Sequence, residues 1–96
     1  MRFEWDEDKN QRNIEKHGVS FEQAQAIFDG FTVHAIDDRS DYGELREISI
    51  GLLDGVAVIV VVHTDRRNIC RIISARRANR KERKLYDEEI QKAFDA

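Results

Sequence analysis

The sequence contains no proline and a single cysteine. Without proline, nothing in it resembles an interdomain linker, and with Cys70 alone an internal disulfide is excluded. Long apolar runs are missing too: the longest, Val56 to Val62, is far too short to span a bilayer. The opening "MRFEWDEDKNQRN" lacks the apolar stretch that a secretory signal needs. A cytoplasmic protein is the expectation from these absences. No internal repeat or low-complexity tract is visible. Metal-ligand patterns are absent as well: His17, His34 and His63 are scattered, and neither HExxH nor CxxC occurs.

What is present fits one domain spanning 1–96. A chain of this length buries roughly 60–65% of the surface its unfolded form exposes, enough for one modest core. Its 41% hydrophobic content suits a globular protein, and its 36% charged content implies long solvated faces. The charge is unevenly divided. From Arg66 to Lys84 nine basic residues stand against one acid, Glu82, a local charge of +8. The remainder holds seven bases and eighteen acids, −11, so the net −3 hides a strongly basic stretch. Such a division usually concerns a partner.

Caps and periodicity give the elements. Asp6 caps a helix through "EDKNQRNIEKH", which Gly18 ends. Ile14 is that helix's only aliphatic residue, so it is expected to lie on the surface, pinned by Trp5 and Ile14. Ser20 and Gln23 form a capping box for a short second helix with Phe21, Ala24, Ile27 and Phe28 on its apolar side. "FTVHAI" (31–36) reads as an edge strand, and "LREISIGLL" (45–53) alternates. "DG" at 54–55 signals a type I′ hairpin into "VAVIVVVHT" (56–64), β-branched almost throughout and therefore central. "ICRIISA" (69–75) follows, then a helix capped by Asn79 and Glu82 with Tyr86, Ile90, Ala93 and Phe94 at helical spacing. The expectation is an α+β domain: two N-terminal helices, an antiparallel three- to four-stranded sheet and a C-terminal helix.

The basic stretch has a plain reading as a solvated face with i,i+4 pairs at Arg83–Asp87 and Lys84–Glu88. Two features argue for more. Arg80, Lys81, Arg83 and Lys84 occupy the first turns of the last helix, where the macrodipole favours acids, at a cost of a few tenths to about 1 kcal/mol each. Arg71 and Arg46 sit inside strands, among Ile69, Ile73, Ile48 and Ile50, and a guanidinium there must be paired or line a groove. A hairpin centred on 66–67 would bring Arg71 near His63. Arg46, His63 and Arg71 are then expected on one sheet surface, with Arg76 and Arg77 at its rim.

"FEWDEDKNQRNIEKHGVSFEQA", then "VVHT" and "RIISARRANRKERKLY", resembles the BrnT toxins, the toxic halves of BrnT–BrnA type II toxin–antitoxin pairs. The likeness runs from Phe3 to about Tyr86, and its most specific pieces are "WDEDKN", "KHGVSFEQA" and "RIISARRA". It implies a RelE/ParE-like fold and a ribonuclease that arrests translation. It also implies a cognate BrnA-like antitoxin that covers the toxin, assembles with it as a heterotetramer and alone contacts operator DNA.

RNA cleavage without a metal needs a base for the 2′-OH, cations for the phosphorane and an acid for the leaving oxygen. Arg71, Arg76 and Arg77, assisted by Arg46, are the expected phosphate grip, with His63 or Tyr86 as acid or base. Arg80, Lys81, Arg83 and Lys84 would track the RNA backbone. Tyr42 could stack on a base, while Trp5 reads as core. Lys16 and His17 read first as helix-end charges. No cofactor, metal or membrane is expected. The competing class is a module without chemistry, in which the basic face holds an acidic antitoxin segment or a protein target, as ParE-like toxins do. A degenerate toxin kept as co-repressor is a third reading.

Overall fold

The computed structural model describes residues 1–38 and 43–95; Tyr42 lies outside the described residues. Strand β1 (Arg2–Glu4) is followed by helix α1 (Glu7–His17) and a single α-helical turn, α2 (Phe21–Ala24), which tightens into a 3₁₀ segment at Gln25–Asp29. Strands β2 (Thr32–Asp37), β3 (Arg46–Leu53), β4 (Ala57–Arg66) and β5 (Ile69–Arg77) precede helix α3 (Arg80–Phe94). The sheet order is β1-β5-β4-β3-β2. The strands from β2 to β5 pair antiparallel, but β1 joins β5 in parallel, so the sheet is five-stranded and mixed rather than wholly antiparallel. A three-residue strand shows no alternation to read, which is why "RFE" gave no signal.

The caps form as the sequence predicts. The Asp6 carboxylate accepts from the amides of Asp8 and Lys9, and Gly18 takes the left-handed conformation at φ 72°. Both capping boxes, Ser20–Gln23 and Asn79–Glu82, close reciprocally. The turn at 54–55 has positive φ at both Asp54 and Gly55, as a type I′ hairpin requires.

Strand β4 is central, with Val58 to His63 buried throughout. One sheet face packs on α1, α2 and the 3₁₀ segment through Phe21, Ala24, Ile27, Ile59, Val61 and Ile72. The other packs on α3 through Ile50, Val58, Val60 and Tyr86. Gly51 lets the 3₁₀ segment approach β3, since a Cβ there would stand 2.7 Å from the Ile27 Cβ.

Helix α1 is held differently from expectation. Ile14 is 37% exposed, whereas Asn10 and Asn13 are buried on the same side of the helix. The Asn10 carboxamide accepts from the Phe21 amide at 2.8 Å and donates to Glu22 at 2.7 Å. Asn13 donates to the carbonyls of Val19 and Ala75 at 2.8 and 2.7 Å and accepts from the Ala75 amide at 3.2 Å. Pairing with β1 ends at Arg71, and at Ala75 the Asn13 carboxamide stands in for the missing strand. Polar residues thus anchor a helix that hydropathy alone would leave loose.

Candidate functional site

The β4–β5 hairpin turns one residue later than the sequence suggested. Arg67 and Asn68 carry the positive φ angles, 52° and 66°, and Arg66 pairs with Ile69. Arg71 therefore faces Thr64, while His63 faces Ile72. A one-residue slip moves a side chain to the opposite face. Beyond it the register shifts between Val62 and His63, leaving Ile73 without a Cα partner.

The expected convergence of Arg46, His63 and Arg71 is corrected accordingly. Arg46 and Arg76 share the α3 face with Ile48 and Val60, and Arg71, opposite Thr64, lies on that face as well. His63 lies on the other face, 1% exposed, with its ring edge-on to Phe28 at 5.1 Å. Tyr86 is also buried; its hydroxyl donates to the Phe31 carbonyl at 3.3 Å, and burial raises its pKa above the ordinary tyrosine value. Neither presents a proton-transfer group to a ligand on the surface.

The arginines divide as well. Arg76 grips Glu82 bidentately at 2.8 and 2.8 Å, and this hydrogen bonding holds the Glu82 carboxyl below its usual range. Arg71 pairs with Glu4 across the parallel β1 contact at 3.3 Å. Arg46 has Glu44 at 3.8 Å and Asp37 as its cross-strand partner. Each of these three thus has a carboxylate of the chain beside it.

A second group behaves otherwise. Arg77, Arg80, Lys81 and Arg83 have no ion-pair partner among the described residues, and Lys84 has only a 4.0 Å contact with Glu88. Arg77 and Arg83 line a cleft of about 260 Å³ with Val58 and Ala78. Arg80, Arg83 and Lys84, with Asp87, line an adjoining cleft of about 390 Å³ that shares Ala78. Lys81 and Lys84 flank a third with Glu82, Leu85 and Glu88. The strand end and the first turns of α3 thereby gather a cationic surface suited to a polyanion.

Sequence reasoning missed a polar chain on the opposite face, buried at Ser49 and His63 and exposed at His34 and Asp65. Thr32 Oγ1 meets His34 Nε2 at 2.6 Å, and His34 Nδ1 meets Ser49 Oγ at 2.7 Å. Ser49 Oγ meets His63 Nε2 at 2.7 Å, and His63 Nδ1 meets Asp65 Oδ1 at 2.8 Å. Cys70, the Cα partner of Asp65, closes the group: ligand atoms of His63, Asp65 and Cys70 all lie within 4.8 Å of one another. The histidines are thus not all isolated from other ligating groups. The signal was His63 and Asp65 two apart on one strand, with a turn able to bring Cys70 opposite. Burial, then Asp65 and Glu47 nearby, push the Cys70 thiol up to about 12. Ser49 is wholly buried, so the Ser–His–Asp order there offers no nucleophile to a substrate.

No helix among the described residues is long and apolar enough to cross a membrane. No curated protein matches the chain. A solved structure, that of the Brucella abortus ribonuclease toxin BrnT, matches with a TM-score of 0.63 and 28% identity, covering 83% of this chain and 99% of that one. The family model described as "Ribonuclease toxin, BrnT, of type II toxin-antitoxin system" matches residues 5–82. That span takes in α1, all the strands but β1, and the cationic start of α3, and the chain belongs to the BrnT family of ribonuclease toxins of type II toxin–antitoxin systems.

Proposed function

We propose that this chain is a metal-independent endoribonuclease that arrests translation and is neutralised by a cognate antitoxin covering its cationic surface. The observation that carries the reading is the set of cations around the β5–α3 junction: Arg77, Arg80 and Arg83, without an ion-pair partner among the described residues, and Lys84, whose contact with Glu88 is 4.0 Å long. RNA phosphates lie along these clefts, with Lys81 at the flank. The scissile phosphate sits beside Arg76 and Arg77, and Arg76 exchanges the planar carboxylate of Glu82 for phosphate oxygens of similar geometry. Arg71 and Arg46 extend the positive face further along the sheet. The cations stabilise the phosphorane, and with His63 and Tyr86 buried in the fold, solvent water takes the 2′-OH proton and returns one to the leaving 5′-oxygen. The RelE/ParE-like relationship, a cytoplasmic setting, a heterotetramer with antitoxin and operator contact through the antitoxin belong to the same reading.

The test is cleavage of RNA by purified protein in EDTA. Arg77→Ala and Arg83→Ala should each slow cleavage by about 100-fold, the scale of losing one charge-stabilising donor. Tyr86→Phe should leave it nearly unchanged. Full activity in the two arginine variants, or a folded Tyr86→Phe that is inactive, would overturn the assignment.

One observation favours a second reading. Arg46, Arg71 and Arg76 each lie beside a carboxylate of the chain, and an acidic segment of a partner protein could replace Glu44, Glu4 and Glu82. In that case the surface is a binding module, and RNA stays intact in the assay.

A further inference from the structure

We infer that His63, Asp65 and Cys70 form a binding site for a zinc ion, separate from the cationic surface and independent of the nuclease reading. His63 and Asp65 come from β4 and Cys70 from β5, so a metal here would clip the hairpin just before its turn. The donor set is one imidazole, one carboxylate and one thiolate, the borderline mixture that suits zinc over magnesium or calcium. The three ligand atoms already lie within 4.8 Å of each other. Tetrahedral zinc needs them about 3.3–3.8 Å apart, given bonds of about 2.0–2.3 Å. The His63–Asp65 contact, now 2.8 Å, must open slightly, while the thiol closes in.

The surroundings fit a metal centre. Phe28 packs edge-on against the His63 ring, and Phe3 is the Cα partner of Cys70, which gives the site an apolar wall. Asp65 is 40% exposed, and a cleft of about 190 Å³ lined by Asp65, Asn68, Ile69 and Cys70 leads in from solvent and leaves room for a water as fourth ligand. Glu47, the Cα partner of His63, adds negative charge from β3. Arg66 and Arg67 line the mouth of the cleft, where they are exposed.

The hydrogen-bonded chain behind His63 supplies the orienting contact that metal-bound imidazoles require. With an acceptor at Asp65 and neutral rings, its one consistent direction runs from Thr32 through His34, Ser49 and His63 to Asp65. Zinc at His63 Nδ1 reverses it. The His63 proton moves to Nε2 and is donated to Ser49, Ser49 then donates to His34 Nδ1, and His34 donates from Nε2 to Thr32. Every member keeps one proton. The Cys70 thiol proton goes to bulk water, so binding at neutral pH releases about one proton per ion.

The experiment titrates chelator-treated protein with cobalt(II), then with zinc. Wild type should show tetrahedral cobalt absorption with a thiolate-to-metal charge-transfer band, reversed by zinc, together with proton release in weak buffer. Cys70→Ser should lose the charge-transfer band, and Asp65→Asn should bind at least 10-fold more weakly. Ser49→Ala, which leaves all three ligands in place, should bind about 10–100-fold more weakly. Circular dichroism checks that each variant is folded. No charge-transfer band in wild type, or zinc affinity equal in wild type and Cys70→Ser, would overturn the site.

Discussion

Replacing Asn13 by alanine tests whether polar anchoring holds α1 to the sheet. The change deletes hydrogen bonds of 2.8, 2.7 and 3.2 Å and leaves the Ala75 amide and carbonyl without their partner. Each bond contributes about 1 kcal/mol net, and each buried backbone group left unpaired costs about 1–3 kcal/mol. A loss of about 3 kcal/mol or more follows, against a total of about 5–15 kcal/mol for such a domain. In thermal unfolding this is a fall of about 12 °C or more, since 1 kcal/mol shifts a domain of this size by about 4–8 °C. Urea titration followed by Trp5 fluorescence is the assay, because Trp5 packs edge-on against Phe21 at 6.2 Å beside the same helix. Asn13→Asp should be no better: it keeps the acceptor for Ala75 but aims a carboxylate at two carbonyls. Ile14→Ala, at a 37% exposed position, should cost less than either. If Ile14→Ala proved the more damaging and Asn13→Ala cost under about 1 kcal/mol, the anchoring argument would fail.

Gly51→Ala should destabilise by about 1–3 kcal/mol, read by denaturant midpoint, because its methyl would stand 2.7 Å from the Ile27 Cβ. Asn79→Ala should cost about 1 kcal/mol by removing the cap of α3, with the loss visible in helical circular dichroism. Glu82 has a folded pKa below its ordinary 4.5, so its contribution is present above 4.5 and disappears as pH falls through the lower folded value. Glu82→Gln should therefore flatten the acid limb of the stability curve, and an unchanged limb would contradict the Arg76 pairing. Arg80→Ala combined with Lys84→Ala should weaken single-stranded RNA binding and reduce the slope of log affinity against log salt by about 1.4. An unchanged slope would place the RNA elsewhere.

Local chemistry was the legible part of the sequence. Asp6, Ser20, Gln23, Asn79 and Glu82 announced their caps because each side chain bonds a backbone amide only two or three residues away, and Asp54–Gly55 announced its turn. The apolar run in β4 was long enough to mark a strand buried on both faces. The β4–β5 turn was not legible. Arginine seldom adopts positive φ, so "DRRN" gave no reason to centre the turn on Arg67–Asn68. That single residue decided which face received Arg71, and with it the company of His63. The pairing of Glu4 with Arg71 was hidden for another reason: it depends on a parallel strand 67 positions away in the chain, and no local pattern encodes such a partner.

The contacts of Asn13 with Ala75, 62 positions apart, also bear on how the chain becomes compact during synthesis. Neither the first helix nor the leading strand has its sheet edge until the fifth strand exists. Closing so long a loop is slow relative to making the adjacent hairpins, which need only short loops. During synthesis the segment through α1 must therefore stay undocked until β5 has left the ribosome. Pulse-labelled hydrogen exchange should find the Phe21 and Ala75 amides acquiring protection together, after those of the β3–β4 hairpin.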